Sequence, residues 1–207
     1  MELLILKLLL MPTLFLPLLV FILIFKNQYT EISSKDYSKF HKEAKQFCKQ
    51  NDMSQDCYFL IDLSVHSGKN RFFVYDFAQN KIVMQNLVTH GACDVFEDNL
   101  EKYHKTKFDS RVDSHCSMKG KFKIGNRDVS SWGINVKYWL HGLENTNKTA
   151  EERVVVLHSW SKVSDKEIYP LYSPLSWGCP AVSNAFMEKL DEKLIATQKP
   201  VLLWIVE

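Results

Sequence analysis

The chain has 207 residues, 46% of them hydrophobic and 24% charged, which excludes a disordered or fibrous protein. With 26 basic and 24 acidic side chains the net charge is +2, and no basic stripe marks a nucleic-acid binder. A chain of this length buries roughly two thirds of the surface it exposes when unfolded, so its core needs neither a metal nor a disulfide.

Leu8 to Phe25 is a run of 18 residues without a charge, flanked by Lys7 and Lys26. As a helix it would measure about 27 Å, close to the hydrocarbon thickness of a bilayer. Being apolar on every side, it predicts a membrane segment rather than a core helix. No small-residue cleavage site appears at Ile24-Phe25-Lys26-Asn27-Gln28, and no cysteine lies near the end of the run. Residues 1–27 therefore read as a signal-anchor or signal peptide, with the uncleaved anchor favoured. Without them the chain is nearly neutral, a soluble domain held at a membrane.

Residues 28–56 read as a tether and a short helix. Tyr37, Phe40, Ala44 and Phe47 recur at spacings of three and four, with Ser33 or Ser34 as N-cap. From Cys57 the rhythm becomes that of short strands between turns. Tyr58–Leu63, Arg71–Asp76 and Lys81–Thr89 predict an antiparallel meander. Residues 92–119 are polar and without period, which predicts a long functional or mobile loop. Further strands are expected at Gly120–Ile124, Trp132–Leu140 and Arg153–His158. Ser183 would cap a helix whose Phe186, Leu190 and Leu194 share a face, and Val201–Val206 is a last buried strand. The fold class is mainly β with flanking helices (α+β), with residues 57–207 as the chemical domain.

Two passages carry chemistry. Val154-Val-Val-Leu-His158-Ser159 is an apolar strand ending in a histidine, and Ser176-Trp177-Gly178-Cys179-Pro180-Ala181-Val182 precedes the last helix. A thiol becomes a strong nucleophile as a thiolate, and a neighbouring imidazole promotes that state. Cys179 is thus the candidate nucleophile and His158 its base. The amides of Gly178 and Cys179 are candidates for an oxyanion site. Composition alone favours Cys179 as a buried structural thiol or half of a disulfide.

The strand-end His158-Ser159 joined to a downstream Ser-Trp-Gly-Cys-Pro-Ala-Val resembles the catalytic domain of the murein L,D-transpeptidases, in the branch where proline follows the cysteine. Phe72-Phe-Val-Tyr-Asp76, Leu87-Val-Thr-His-Gly91 and His141-Gly-Leu-Glu-Asn145 fall in the order that branch uses. The resemblance covers roughly residues 57–207. It implies a YkuD-like, β-sandwich-like domain acting on peptidoglycan stem peptides at the cell envelope, without metal or organic cofactor. Cys179 would form a thioester with a stem tetrapeptide, releasing D-alanine, and a second stem's amine would then form a cross-link. It departs from the commoner motif at Trp177, where that motif has histidine, and at Ala181, where it often has asparagine or arginine. Ser159, Ser176, Trp177 and His90 are expected to contact or orient substrate. A hydrolase of the same fold, trimming or cutting stems, and a non-catalytic wall-binding module are the competing readings.

His104, His115, Cys93 and Cys116 crowd the long loop, but their spacing matches no standard zinc pattern. With Cys179 as the free thiol, Cys48, Cys57, Cys93 and Cys116 allow three disulfide pairings, and the local one joins Cys48–Cys57 and Cys93–Cys116.

Overall fold

The computed structural model describes residues 35–93 and 99–207, so the apolar segment 8–25 and the caps expected at Ser33 or Ser34 lie outside the described residues. Among the described residues no helix is long and apolar enough to cross a membrane. Residues 37–207 form one compact unit. Its elements in chain order are α1 (Ser38–Gln50), β1 (Cys57–Asp62), β2 (Phe72–Asp76), β3 (Lys81–Asn86) and α2 (Glu101–His104). Then come β4 (Gly120–Val129), β5 (Val136–Gly142), β6 (Val156–Ser159), β7 (Ala181–Val182), α3 (Asn184–Ala196) and β8 (Leu202–Val206).

The strands join into a single eight-stranded sheet in the order β3-β2-β1-β8-β4-β5-β6-β7. The meander β1–β2–β3 is antiparallel, as its short turns require. The last strand, β8, returns to the middle of the sheet, parallel to β1 and antiparallel to β4. This placement explains the two most apolar runs. Cys-Tyr-Phe-Leu-Ile-Asp of β1 and Leu-Leu-Trp-Ile-Val of β8 are buried at every position. A strand covered on both faces has no solvent side on which to place polar residues. By contrast β5 alternates, with Val136, Tyr138 and Leu140 buried and Lys137, Trp139 and His141 half-buried.

Each face of the sheet carries a core. On one face Phe59, Ile61, Phe122, Tyr138, Leu157 and Leu203 pack with Phe186, Met187 and Leu190 of α3. The Ser183 hydroxyl caps α3 by accepting from the Phe186 amide, as its sequence predicts. On the other face Tyr58, Leu60, Phe73, Leu202 and Trp204 pack with Tyr37, just ahead of α1, and with Ala44 and Cys48 of α1. The helix expected in the tether is therefore part of the domain core. Its N-cap is Tyr37, with no side-chain cap.

The segment 92–119, expected to be structureless, is largely pinned where it is described. It contains α2, a Cys93–Cys116 disulfide and a Phe108–Ser117 bridge. Arg153 donates from Nη1 to the Asp109 carbonyl and from Nη2 to the Cys116 carbonyl, each at 2.8 Å. These partners are distant in sequence, so no local period announces them. Cys48 and Cys57 remain separate buried thiols.

Candidate active site

Parallel pairing of β6 with β7 brings the two chemical passages together. The Cα of His158 is opposite Ala181, two residues beyond Cys179. Cys179 is half-buried. Its Sγ accepts from the Val156 amide at 3.4 Å and donates to the Val154 carbonyl at 3.6 Å. Val154 adopts a left-handed φ of 54°, uncommon for a β-branched residue, just where its carbonyl meets the thiol.

No hydrogen bond joins the thiol to the imidazole in this state. The His158 ring nitrogen Nδ1 lies 3.0 Å from the Ser159 carbonyl. A carbonyl only accepts, so Nδ1 carries the proton and Nε2 is left as the basic nitrogen. Among the described residues nothing else engages Nε2. Burial first, and then the Lys137 charge, hold His158 below the usual imidazole value, against the opposing Ser159 bond. Burial raises the Cys179 thiol, partly countered by the Val156 amide, Arg153 and Lys137. The resting pair is therefore neutral thiol and neutral imidazole.

The turn ahead of the thiol is tightly specified. Gly178 has φ +105°, and a Cβ there would stand 2.6 Å from the Cys116 carbonyl and 3.0 Å from Arg153 Nη2. Only glycine combines that backbone with that space. The two amides expected to form an oxyanion site differ in their partners. The Gly178 amide is already given to the Ser176 hydroxyl at 3.2 Å. Among the described residues nothing accepts from the Cys179 amide, which makes it the better candidate donor.

The other expected contacts divide. Trp177 is 69% exposed and its ring lies 4.9 Å from that of His115, forming an open wall beside the thiol. Ser176 orients the turn, through its hydroxyl and through its backbone exchange with His90 and Ala92. Ser159 is fully buried and its hydroxyl accepts from the Ile134 amide, so it braces the β4–β5 connection rather than meeting substrate. His90 is also not a cleft residue. It is buried, Arg71 Nη2 stands 2.9 Å from its Nδ1, and its Nε2 donates to the Lys102 carbonyl at 2.8 Å. An arginine only donates, so both nitrogens are committed.

Three residues not singled out from sequence hold the site. Arg153 positions the wall behind Gly178 and adds positive charge near the thiol. The Thr89 hydroxyl donates to the Cys179 carbonyl at 3.1 Å and accepts from the Ala181 amide at 2.9 Å, clamping the turn to β7. Fully buried Arg71 donates from Nε and Nη2 to the Val88 carbonyl at 3.0 and 2.7 Å, fixing the segment that carries Thr89. Thr89 falls inside Leu87–Gly91, and Arg153 opens the Arg153-Val-Val-Val-Leu-His158 stretch that likewise keeps the family order, which is the one signal that could have found them. Cys93 and Cys116, considered as metal ligands, are bonded to each other.

Comparison with known proteins gives the family. The family model of the L,D-transpeptidase catalytic domain matches residues 31–204. No curated protein matches the chain. Among solved structures the chain is similar to an L,D-transpeptidase from Xylanimonas cellulosilytica, at 13% identity and TM-score 0.42, covering 79% of this chain and 68% of that one. It is similar to the Enterococcus faecium L,D-transpeptidase at 12% identity and TM-score 0.44, covering 72% of this chain and 49% of that one. The helical cell shape determining protein Pgp2 from Campylobacter jejuni matches at 11% identity and TM-score 0.43, covering 80% and 55%. These likenesses are remote, and this chain spans about half the length of the latter two. The match across residues 31–204 shows that the chain belongs to the L,D-transpeptidase catalytic domain family.

Proposed function

We propose that this domain is a peptidoglycan L,D-transpeptidase acting through a Cys179 thioester. The observation that carries the reading is the Cys179 thiol in contact with the Val156 amide at the start of β6, whose strand-end imidazole has its basic nitrogen free. In the first step His158 Nε2 takes the thiol proton as Sγ bonds to the carbonyl carbon of the stem diamino acid. The Cys179 amide stabilises the oxyanion. The carbon–nitrogen bond to D-alanine then breaks, and the imidazolium returns its proton to the departing amine. An amine from a second stem attacks the thioester, forming the cross-link and restoring the thiol. Water in place of that amine would make the same site a carboxypeptidase.

The test is incubation with a disaccharide-tetrapeptide and mass spectrometry of the products. D-Alanine release with cross-linked dimer is expected. Release with tripeptide alone would assign the hydrolase, and no release would sink the proposal.

The pH profile follows from the neutral pair. The base works only when unprotonated, and its value is held below 6.5 by burial. kcat/KM is expected to stay level through neutrality and to fall only as pH drops below 6.5. An acid limb centred above 7 would contradict an imidazole buried in neutral form.

We also propose that residues 8–25 anchor the domain on the outer side of a cytoplasmic membrane. The full chain should then sediment with membranes and resist extraction by high salt or alkaline carbonate. Release by carbonate would overturn the anchor.

A further inference from the structure

We propose that the Lys137 ammonium binds the terminal carboxylate of the residue that departs when Cys179 is acylated, selecting stems that end one residue past the scissile bond. The inference rests on the acyl-transfer reading above.

Asp128 pairs directly with Lys137 between β4 and β5, Lys137 with His158 between β5 and β6, and His158 with Ala181 between β6 and β7. Side chains of directly opposed residues share a face of the sheet. A carboxylate, an ammonium and the catalytic imidazole therefore stand in one row, which ends two residues past the thiol. This face is covered by α1 over β1, β2 and β8, whereas Lys137, Trp139 and His158 remain half-buried.

Substrate chemistry maps onto that row. With the scissile carbonyl on Sγ, the departing nitrogen must face His158 to receive its proton. The carboxylate carbon of a single terminal residue lies two bonds beyond that nitrogen. Neighbouring strands stand about 4.8 Å apart, so the next position along the row is that of Lys137.

The ammonium is positioned but not used up. Nζ lies 3.4 Å from Asp128 Oδ2, and the Lys137 side chain is 21% exposed. That separation is long for a charge-assisted hydrogen bond, which leaves donors for a ligand. Asp128 is itself held by the Trp139 indole N–H at 3.2 Å and the Val129 amide at 2.7 Å. Nζ also lies 5.2 Å from the Trp139 ring centroid. Arg153, the other cation near the thiol, is held behind Gly178 by its bonds to the Asp109 and Cys116 carbonyls. A stem one residue longer would carry its charge past Lys137 and place an uncharged amide there.

Binding can be measured without turnover in Cys179→Ala protein. Calorimetry would compare a stem tetrapeptide ending in D-alanine with the same peptide ending in a carboxamide. The free carboxylate should bind roughly tenfold tighter. Adding Lys137→Met should erase that preference with the carboxamide affinity unchanged, and Lys137→Arg should retain it. A preference that survives Lys137→Met, or a parallel loss for both peptides, overturns the assignment. Lys137→Gln, checked by circular dichroism, replaces the Met variant if that one misfolds. D-Alanine release by the unmodified protein is followed alongside. Release without any carboxylate preference defeats the Lys137 role and leaves acyl transfer standing, whereas absence of both binding and release defeats the two together.

Discussion

Cys179→Ala should lower D-alanine release from a stem tetrapeptide by at least about 10³-fold while leaving the domain folded. The loss is large because alanine has no lone pair to attack the carbonyl, and water has no comparable position beside His158. The fold should survive because the thiol contributes little to it. Its Sγ accepts one amide and makes one weak S–H contact to a carbonyl. Leaving the Val156 amide without its acceptor costs about 1–3 kcal/mol, a few degrees in Tm. Unchanged release by a folded variant would remove Cys179 from the reaction. Intact-protein mass spectrometry supplies a second reading. A carbapenem adduct should appear on the parent protein and be absent from the variant.

Arg71→Met should have the largest effect on stability, about 3–5 kcal/mol by urea unfolding. Arg71 is among the largest fully buried side chains. Burial lowers its pKa to about 9, which leaves it charged at neutral pH, with Asp62 acting in its support. Its guanidinium serves the Val88 carbonyl twice, the Val65 carbonyl at 3.2 Å and His90 Nδ1. Methionine fills much of the volume but donates nothing, so the buried Val88 carbonyl, the half-buried Val65 carbonyl and a ring nitrogen lose their partner while Asp62 loses its countercharge. The damage should reach the site, since the neighbouring Thr89 clamps Cys179 and Ala181. The variant should also lose activity beyond the unfolded fraction. A change below about 1 kcal/mol would show that Arg71 carries no structural load.

The strands were legible where a local rule governed them. β1, β2 and β8 read as apolar runs, and α3 was announced by Ser183 and the spacing of Phe186 and Leu190. β7 was not legible, because two residues carry no period and pair only when β6 lies alongside. α1 was visible as an amphipathic stripe, yet its membership of the domain came from Trp204 and Phe73, which supply the surface that it covers.

The candidate site divides along the same line. Cys179 and His158 stood out from residue type and from a family pattern in the chain. Arg71, Thr89 and Arg153 did not, because each acts through main-chain groups of residues far along the chain, and a carbonyl or amide leaves no mark on the amino-acid code. The same reason turned His90 and Ser159 to structural duty and left Cys179 as the freer of the two candidate oxyanion amides, since what a polar group does depends on whether a neighbour has already claimed its hydrogen bond. Residue order thus specified the reactive groups and most strands of this protein. Folding specified which groups remain free to react, because hydrogen-bond partnership is a property of space and not of spacing.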